Sequence, residues 1–257
     1  LLQRAQPKGF LALNADLNFI IDKEVSLEDY KLSLGFHDLS LTSAYPGLAV
    51  QGLNGQIFWG KDQIYAKGLQ SHSNGHLINW AVSEITKKTH KIMQVEADVP
   101  VSLGKHRLDY CHKTISVEGM SQWHVRFEHP LHAWLNIWHI DLASDLVGMQ
   151  FDFKGGWHKS KSFKLPVHIT GQISSNNEAW RIHVPQRLTA AVKRKQGRGF
   201  WGQIALGPIP LKPVSPPNAW LIRAQLSQLP ACVQAVLSHG RRMSSFARAP
   251  IMFESDL

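Results

Sequence analysis

The chain has 257 residues, 44% hydrophobic and 18% charged, with a formal net charge of +9. That composition is globular and excludes wholesale disorder, and no apolar run approaches the roughly 20 residues that a membrane-spanning helix needs. The positive charge is dense only at Lys193-Arg194-Lys195, ahead of the turn-like Gly197-Arg198-Gly199, so it reads as charge spread over solvated strand faces in preference to a nucleic-acid or anionic-membrane site.

The start, Leu1-Leu2-Gln3-Arg4, has neither an initiator Met nor a signal-peptide pattern. The chain is therefore expected to be a piece of a longer protein, with any export signal or membrane anchor upstream. From there the apolar residues recur with a period of two. Leu11, Leu13, Ala15, Leu17 and Phe19 alternate with Ala12, Asn14, Asp16 and Asn18. Tyr30, Leu32, Leu34 and Phe36 alternate with Lys31, Ser33, Gly35 and His37. The same period runs through Met93, Val95, Ala97, Val99 and Val101. It returns in Trp123-Val125-Phe127, Trp138-Ile140-Leu142, Leu165-Val167-Ile169, Trp180-Ile182-Val184 and Trp220-Ile222-Ala224-Leu226. A strand points successive side chains to opposite faces, so each stretch predicts a strand with one dry face.

Turn residues punctuate the strands. Asn54-Gly55, Ser73-Asn74-Gly75, Gly155-Gly156, Ser174-Ser175-Asn176-Asn177 and Gly197-Arg198-Gly199 read as hairpin or loop connections. Pro208, Pro210, Pro213, Pro216 and Pro217 predict an extended connection, because proline cannot donate to a central ladder. Helical signal is confined to one turn at Leu131–Leu135 and to a tail. Two segments follow: 1–230 as the β segment, and 231–257 as an atypical tail, weakly helical or disordered. The fold class expected is all-β, a long twisted antiparallel sheet with little helix.

Catalytic signatures are missing. There is no GxSxG elbow, Walker A loop or dinucleotide fingerprint. Cys111 and Cys232 lie far apart and outside any CxxC pair, so neither a zinc nor a redox motif follows. Cys111-His112 would point to opposite faces of a strand. His129 and His132 have ligand-like spacing, but His37, His124, His139, His168 and His183 all fall in the polar phase of strands, as solvated residues do. Asp141 with Asp145, or Glu24 with Glu28, gives no reason to prefer either pair as acid and base. The expectation is a protein that is not an enzyme and needs no metal or cofactor. Nine tryptophans, most of them near strands, suit either a β core or a surface that meets an apolar ligand.

The order of segments from residue 131 to residue 230 carries a resemblance. It runs through Ser144-Asp-Leu-Val-Gly-Met149, Phe163-Lys-Leu-Pro-Val-His-Ile169, Trp180-Arg-Ile-His-Val184 and the return Gly202-Gln-Ile-Ala-Leu-Gly207. Upstream, Leu53-Asn-Gly-Gln-Ile-Phe-Trp59 and Val117-Glu-Gly-Met-Ser-Gln-Trp-His-Val125 fit as well. Together these resemble the C-terminal part of the YhdP branch of the AsmA-like (bridge-like lipid transfer) proteins. Lys154-Gly-Gly-Trp-His-Lys159 replaces that family's Pro-rich loop, and the tail replaces its continuing strands.

The resemblance implies an open β groove whose apolar side carries phospholipids across the periplasm, between inner and outer membranes. It also implies an inner-membrane anchor outside this fragment. Candidate lining residues are Leu11, Leu13, Leu17, Leu32, Leu34, Val95, Val99, Val125, Phe127, Ile140 and Leu142, all expected to face inward. The partners expected are phospholipid acyl chains and no nucleic acid. The alternative is a structural β-sandwich module of the cell envelope without a ligand.

Overall fold

In the computed structural model the described residues are 6–21, 25–42, 49–61, 63–87, 90–110, 113–131, 136–153, 157–195, 199–211, 219–225 and 251–256. Every regular element among them is a strand, paired through its backbone with neighbouring strands in a sheet. The all-β expectation holds. The sheet is mixed, however, and not wholly antiparallel. The chain divides into two compact units, Leu1–Val101 with Trp123–Trp134, and Ser102–Gln122 with Leu135–Leu257.

The first unit opens with β1 (Gln6–Ile21), β2 (Val25–Thr42), β3 (Ala49–Gly60) and β4 (Ile64–Ser73), each antiparallel to the next. A tight turn at Asn74-Gly75, with both residues at positive φ, folds β5 (His76–Asn79) back on β4. Paired positive φ values are what a two-residue hairpin requires and what an Asn-Gly sequence supplies. Next, β6 (Ala81–Lys87) pairs with β7 (His90–Tyr110). The last part of β8 (Lys113–Pro130) returns along β7, where the Leu131 amide donates to the Lys91 carbonyl at 3.0 Å.

Asn54-Gly55 is not the turn that the sequence suggests. It lies inside β3, at a bulge against β4. Gly55 has φ +123°, and a Cβ there would overlap the carbonyl of Gly68, itself at φ +60°. The same pairing recurs between β1 and β2, where Gly9 (φ +120°) packs on Asp38 (φ +51°). Each bulge adds one residue to a strand and so shifts its alternation by one. In β2 the apolar set moves from Leu32, Leu34 and Phe36 to Leu39. In β4 it moves from Ile64 and Ala66 to Leu69, with Ser71 and Ser73 buried beyond. This slip hides β4 from a period-two reading. The bulge keeps both sets on one face: Ile64, Leu69 and Val82 form a buried cluster, and Phe36, Leu53, Ile57, Met93, Val95, Trp80 and Leu131 pack against it.

The second unit is built on β9 (Trp138–Ser144), β12 (Val167–Ile173), β13 (Asn177–Val184), β14 (Leu188–Lys195) and β15 (Phe200–Leu206), antiparallel in that order. Beside them β10 (Met149–Phe153) pairs with the start of β8 and with β11 (Trp157–Lys159). The Ser174–Asn177 turn joins β12 to β13 as its composition suggests, closed by the Ser174 amide on the Asn177 carbonyl at 2.8 Å.

Then β16 (Trp220–Gln225) runs parallel to β15, and β17 (Ile251–Asp256) runs parallel to β16. A parallel neighbour needs a crossover that carries the chain back, and the proline-rich stretch is that crossover. Its described part, 207–211, lies on one face of the sheet: Ile209 is buried, and the Arg223 guanidinium donates to the Pro210 carbonyl at 2.7 Å.

The expectation for the tail needs correcting at its end. Residues 251–256 are neither helical nor irregular but pair with β16 over six residues. Their alternation is short and follows a stretch without period, so only the backbone ladder of β16 selects the extended state. Residues 226–250 lie outside the described set, as do 132–135, Gly155, Gly156 and Gly197.

Two measurements test this account. Gly55→Ala is expected to lower stability by about 2 kcal/mol or more, since overlap adds to positive-φ strain, whereas Gly75→Ala, in open space, costs about 1 kcal/mol. Denaturant titration of both variants compares them. Removing Ile251–Leu257 is expected to lower Tm by about 5 °C or more through loss of the β16 ladder. An unchanged melting curve would mean that β17 does not hold β16.

Candidate functional site: the apolar sheet faces

Residues directly opposite in a ladder share a face, so the registers state which side chains lie together. In the second unit one face carries Trp138, Ile140 and Leu142 of β9, then Val167, Ile169 and Ile173 of β12. It continues through Trp180, Ile182 and Val184 of β13, Leu188, Ala190 and Val192 of β14, Ile204 and Leu206 of β15, and Trp220 and Ile222 of β16. The opposite face carries His139, Asp141, His168, Thr170, Gln172, Arg181, His183, Thr189, Lys193 and Lys195.

The apolar side is only partly covered. Ile140, Val167, Val184 and Ala190 are buried, while Leu142, Ile169, Ile182, Val192 and Ile204 are half-buried. Trp180 lies flat over Gly171 of β12, where a Cβ would run into its ring. The described crossover residues are on the other side. Arg223 pairs in register with Ala205, and Ala205, Gln203 and Leu221, all on that side, are buried.

In the first unit the registers align Leu13, Leu34, Ile57 and Ala66, and next to them Ala15, Leu32, Trp59 and Ile64. Leu11 and Leu17 share that face, opposite Phe36 and Tyr30. Across β6 and β7, Val82 pairs with Val95. The His124 imidazole meets the Asp98 carboxylate at 3.0 Å, and Arg126 Nε donates to Glu96 at 2.6 Å. These polar contacts put Val125 and Phe127 on the same side as Val95, Ala97 and Val99.

Each candidate lining residue therefore falls in the apolar phase of its own unit. Val99, Val125 and Ile140 are buried, and Leu32, Leu34, Val95, Phe127 and Leu142 are half-buried. Leu11, Leu13 and Leu17 share the apolar face of their ladder but are left open on it, at 60%, 68% and 49% exposed. They lie on β1, whose ladder partner is β2.

The Ser144–Met149 segment has a physical basis that the sequence did not disclose. The Ser144 hydroxyl donates to the Gln122 carbonyl at 2.7 Å and accepts from the Leu146 amide at 3.0 Å, while the Asp145 carboxylate accepts from the Val147 amide. Leu146 and Gly148 both take positive φ. The resulting turn wraps the ammonium of Lys159, which is 2% exposed and donates to the carbonyls of Leu146 (2.7 Å), Met149 (2.7 Å) and Ser160 (3.1 Å). Burial lowers its pKa from the ordinary 10.5, and the Asp145 carboxylate opposes the shift. Nothing in the local sequence marks Lys159 as buried, because the carbonyls converge only through the turn.

The polar residues weighed for chemistry are held in local structure. Asp141 pairs with His168 at 2.8 Å, and His183 lies 3.2 Å from the Thr189 hydroxyl. Among the described residues no three His, Cys, Asp or Glu side chains converge as a metal site would need. Cys111, His112, His132, Glu24 and Cys232 lie outside the described residues. Comparison with protein-family models, with curated proteins and with solved structures found no match.

Lys159→Met is expected to cost about 2–4 kcal/mol by leaving three carbonyls without their donor, read by denaturant titration. The pH dependence has a definite sign. With the folded pKa below 10.5, the unfolded chain binds more protons between the two values. Stability of the parent relative to Lys159→Met should therefore rise with pH across that window.

Proposed function

We propose that this chain carries phospholipid acyl chains along the apolar faces of its sheet, as its resemblance to the YhdP branch of the AsmA-like proteins implies, and works in the cell envelope. The observation that carries this reading is the segregation in the second unit. Apolar side chains line one face across β9, β12, β13, β14, β15 and β16, many of them half-buried. An acyl chain laid on such a face leaves water at about 0.8 kcal/mol per methylene. Position along the strand would matter little, because the face offers similar side chains from one strand to the next. That suits passage of a chain better than capture of one compound.

A second reading, a structural module without ligand, draws on the first unit. There the cluster around Ile64, Leu69 and Val82 packs on its own neighbours.

One substitution separates the two. Ile182 and Ile204 are half-buried on the apolar face of β13 and β15. Replacing either with Asp places a charge where acyl chains would lie, and an unpaired charge resists that contact. For a lipid-carrying face, phospholipid co-purifying with the protein should fall severalfold by mass spectrometry while Tm moves by less than about 5 °C. A protein without phospholipid before substitution, or a melting transition lost in both variants, would favour the structural module.

A further inference from the structure

The two polar faces differ in how their cations are placed. In the first unit, Lys87 binds Glu128 at 2.6 Å and Arg126 binds Glu96 at 2.6 Å, while the exposed Lys8, Lys31 and Lys67 are dispersed over three strands, Lys31 opposite Asp16 in the β1–β2 ladder. In the second unit the pattern breaks within a single strand. Arg194 of β14 points to the apolar side, where it pairs with Glu178 and lies over the Phe200 ring. Its neighbours Lys193 and Lys195 point to the polar side and are exposed, as is Arg181 of β13. Among the described residues no carboxylate lies on that side of β13, β14 or β15. The Asp141 carboxylate of β9 is engaged by His168.

The register groups these cations. Lys193 stands opposite Ala179 and Arg181 opposite Ala191, so the two are diagonal neighbours, and Lys195 follows Lys193 along the strand. Trp201 of β15, half-buried, stands directly opposite Lys193. Flanking the group, His168 and His183 are exposed opposite partners. Small residues, Ala179 and Ala191, fill the positions between, so the cations rise above a shallow floor.

We propose that the polar face of β13 and β14, with Trp201 at the start of β15, is a contact for an anionic bilayer surface. Lysine and arginine are drawn to the negative potential of anionic lipids, and a tryptophan beside them suits the headgroup layer, where its apolar ring and N–H are both accommodated. The three cations share one side of two adjacent strands, which suits a broad anionic surface. Adsorption through this side leaves the apolar side of the same strands turned away from the headgroups. The contact stands apart from acyl-chain carriage, since it uses the opposite side chains.

The test is sedimentation of the full 257-residue chain with vesicles of phosphatidylcholine, either pure or containing phosphatidylglycerol. The parent should bind only the anionic vesicles, and high salt should release it. R181Q/K193Q/K195Q should weaken binding by about a hundredfold, near fivefold per charge. K8Q/K31Q/K67Q, which removes as many charges from the first unit's polar face, should weaken it far less. Trp201→Ala should weaken it without changing the salt response. Equal weakening by the two triple variants, full binding by R181Q/K193Q/K195Q, equal binding to pure phosphatidylcholine, or tighter binding to duplex DNA at the same salt would each overturn the proposal.

Discussion

Phase is the constraint on which this structure depends. Side chains alternate along a strand, so an apolar face several strands wide exists only if every ladder is aligned to the same parity. A slip of one residue anywhere would send a strand's leucines and valines to the polar side. The antiparallel ladders β9–β12–β13–β14–β15 hold that parity without interruption, and the parallel step to β16 preserves it. In the first unit parity is restored at bulges. A positive-φ residue, Asp38 or Gly68, lies against a glycine that has no Cβ to obstruct it.

Those bulges explain why the sequence pattern breaks without the face breaking. Leu69 follows Ala66 by three residues, yet it packs with Ile64 and Val82. The extra residue is absorbed as a local twist, which a strand tolerates when the close contact is with glycine. The buried Lys159 does comparable work in the second unit. Its ammonium satisfies two carbonyls of the tight turn from Ser144 to Met149, those of Leu146 and Met149, and the carbonyl of Ser160. A buried charge is acceptable there because every N–H has an acceptor.

The division into an apolar and a polar side also organises what the chain could do. The crossover to β16 shelters Ile209 and Leu221 on the polar side. Ion pairs hold Lys87 and Arg126 on the polar face of the first unit, whereas among the described residues no carboxylate shares the side of β13 and β14 that carries Arg181, Lys193 and Lys195. Acyl-chain carriage and membrane adsorption would thus draw on opposite sides of one set of strands.

The sequence by itself determined the all-β class, several of the strands and the parity of their faces. Period-two alternation at residues 11–17, 30–36, 93–101 and 138–142 is enough to assign strands and to sort Leu13 from Asn14 or Ile140 from Asp141. It also marked the turns at Asn74-Gly75 and Ser174–Asn177, where local residue chemistry decides the backbone. Only the tertiary structure decided the rest. Asn54-Gly55 is a bulge because Gly68 lies across from it, and the last six described residues are a strand because β16 offers its edge. The exposure of Leu11, Leu13 and Leu17 on the apolar face is likewise something no local pattern encodes. Lys159 is buried because three carbonyls close on it. Parity is a property of one strand and can be read from it, whereas bulges, edges and buried charges depend on what the neighbouring strand brings to the contact.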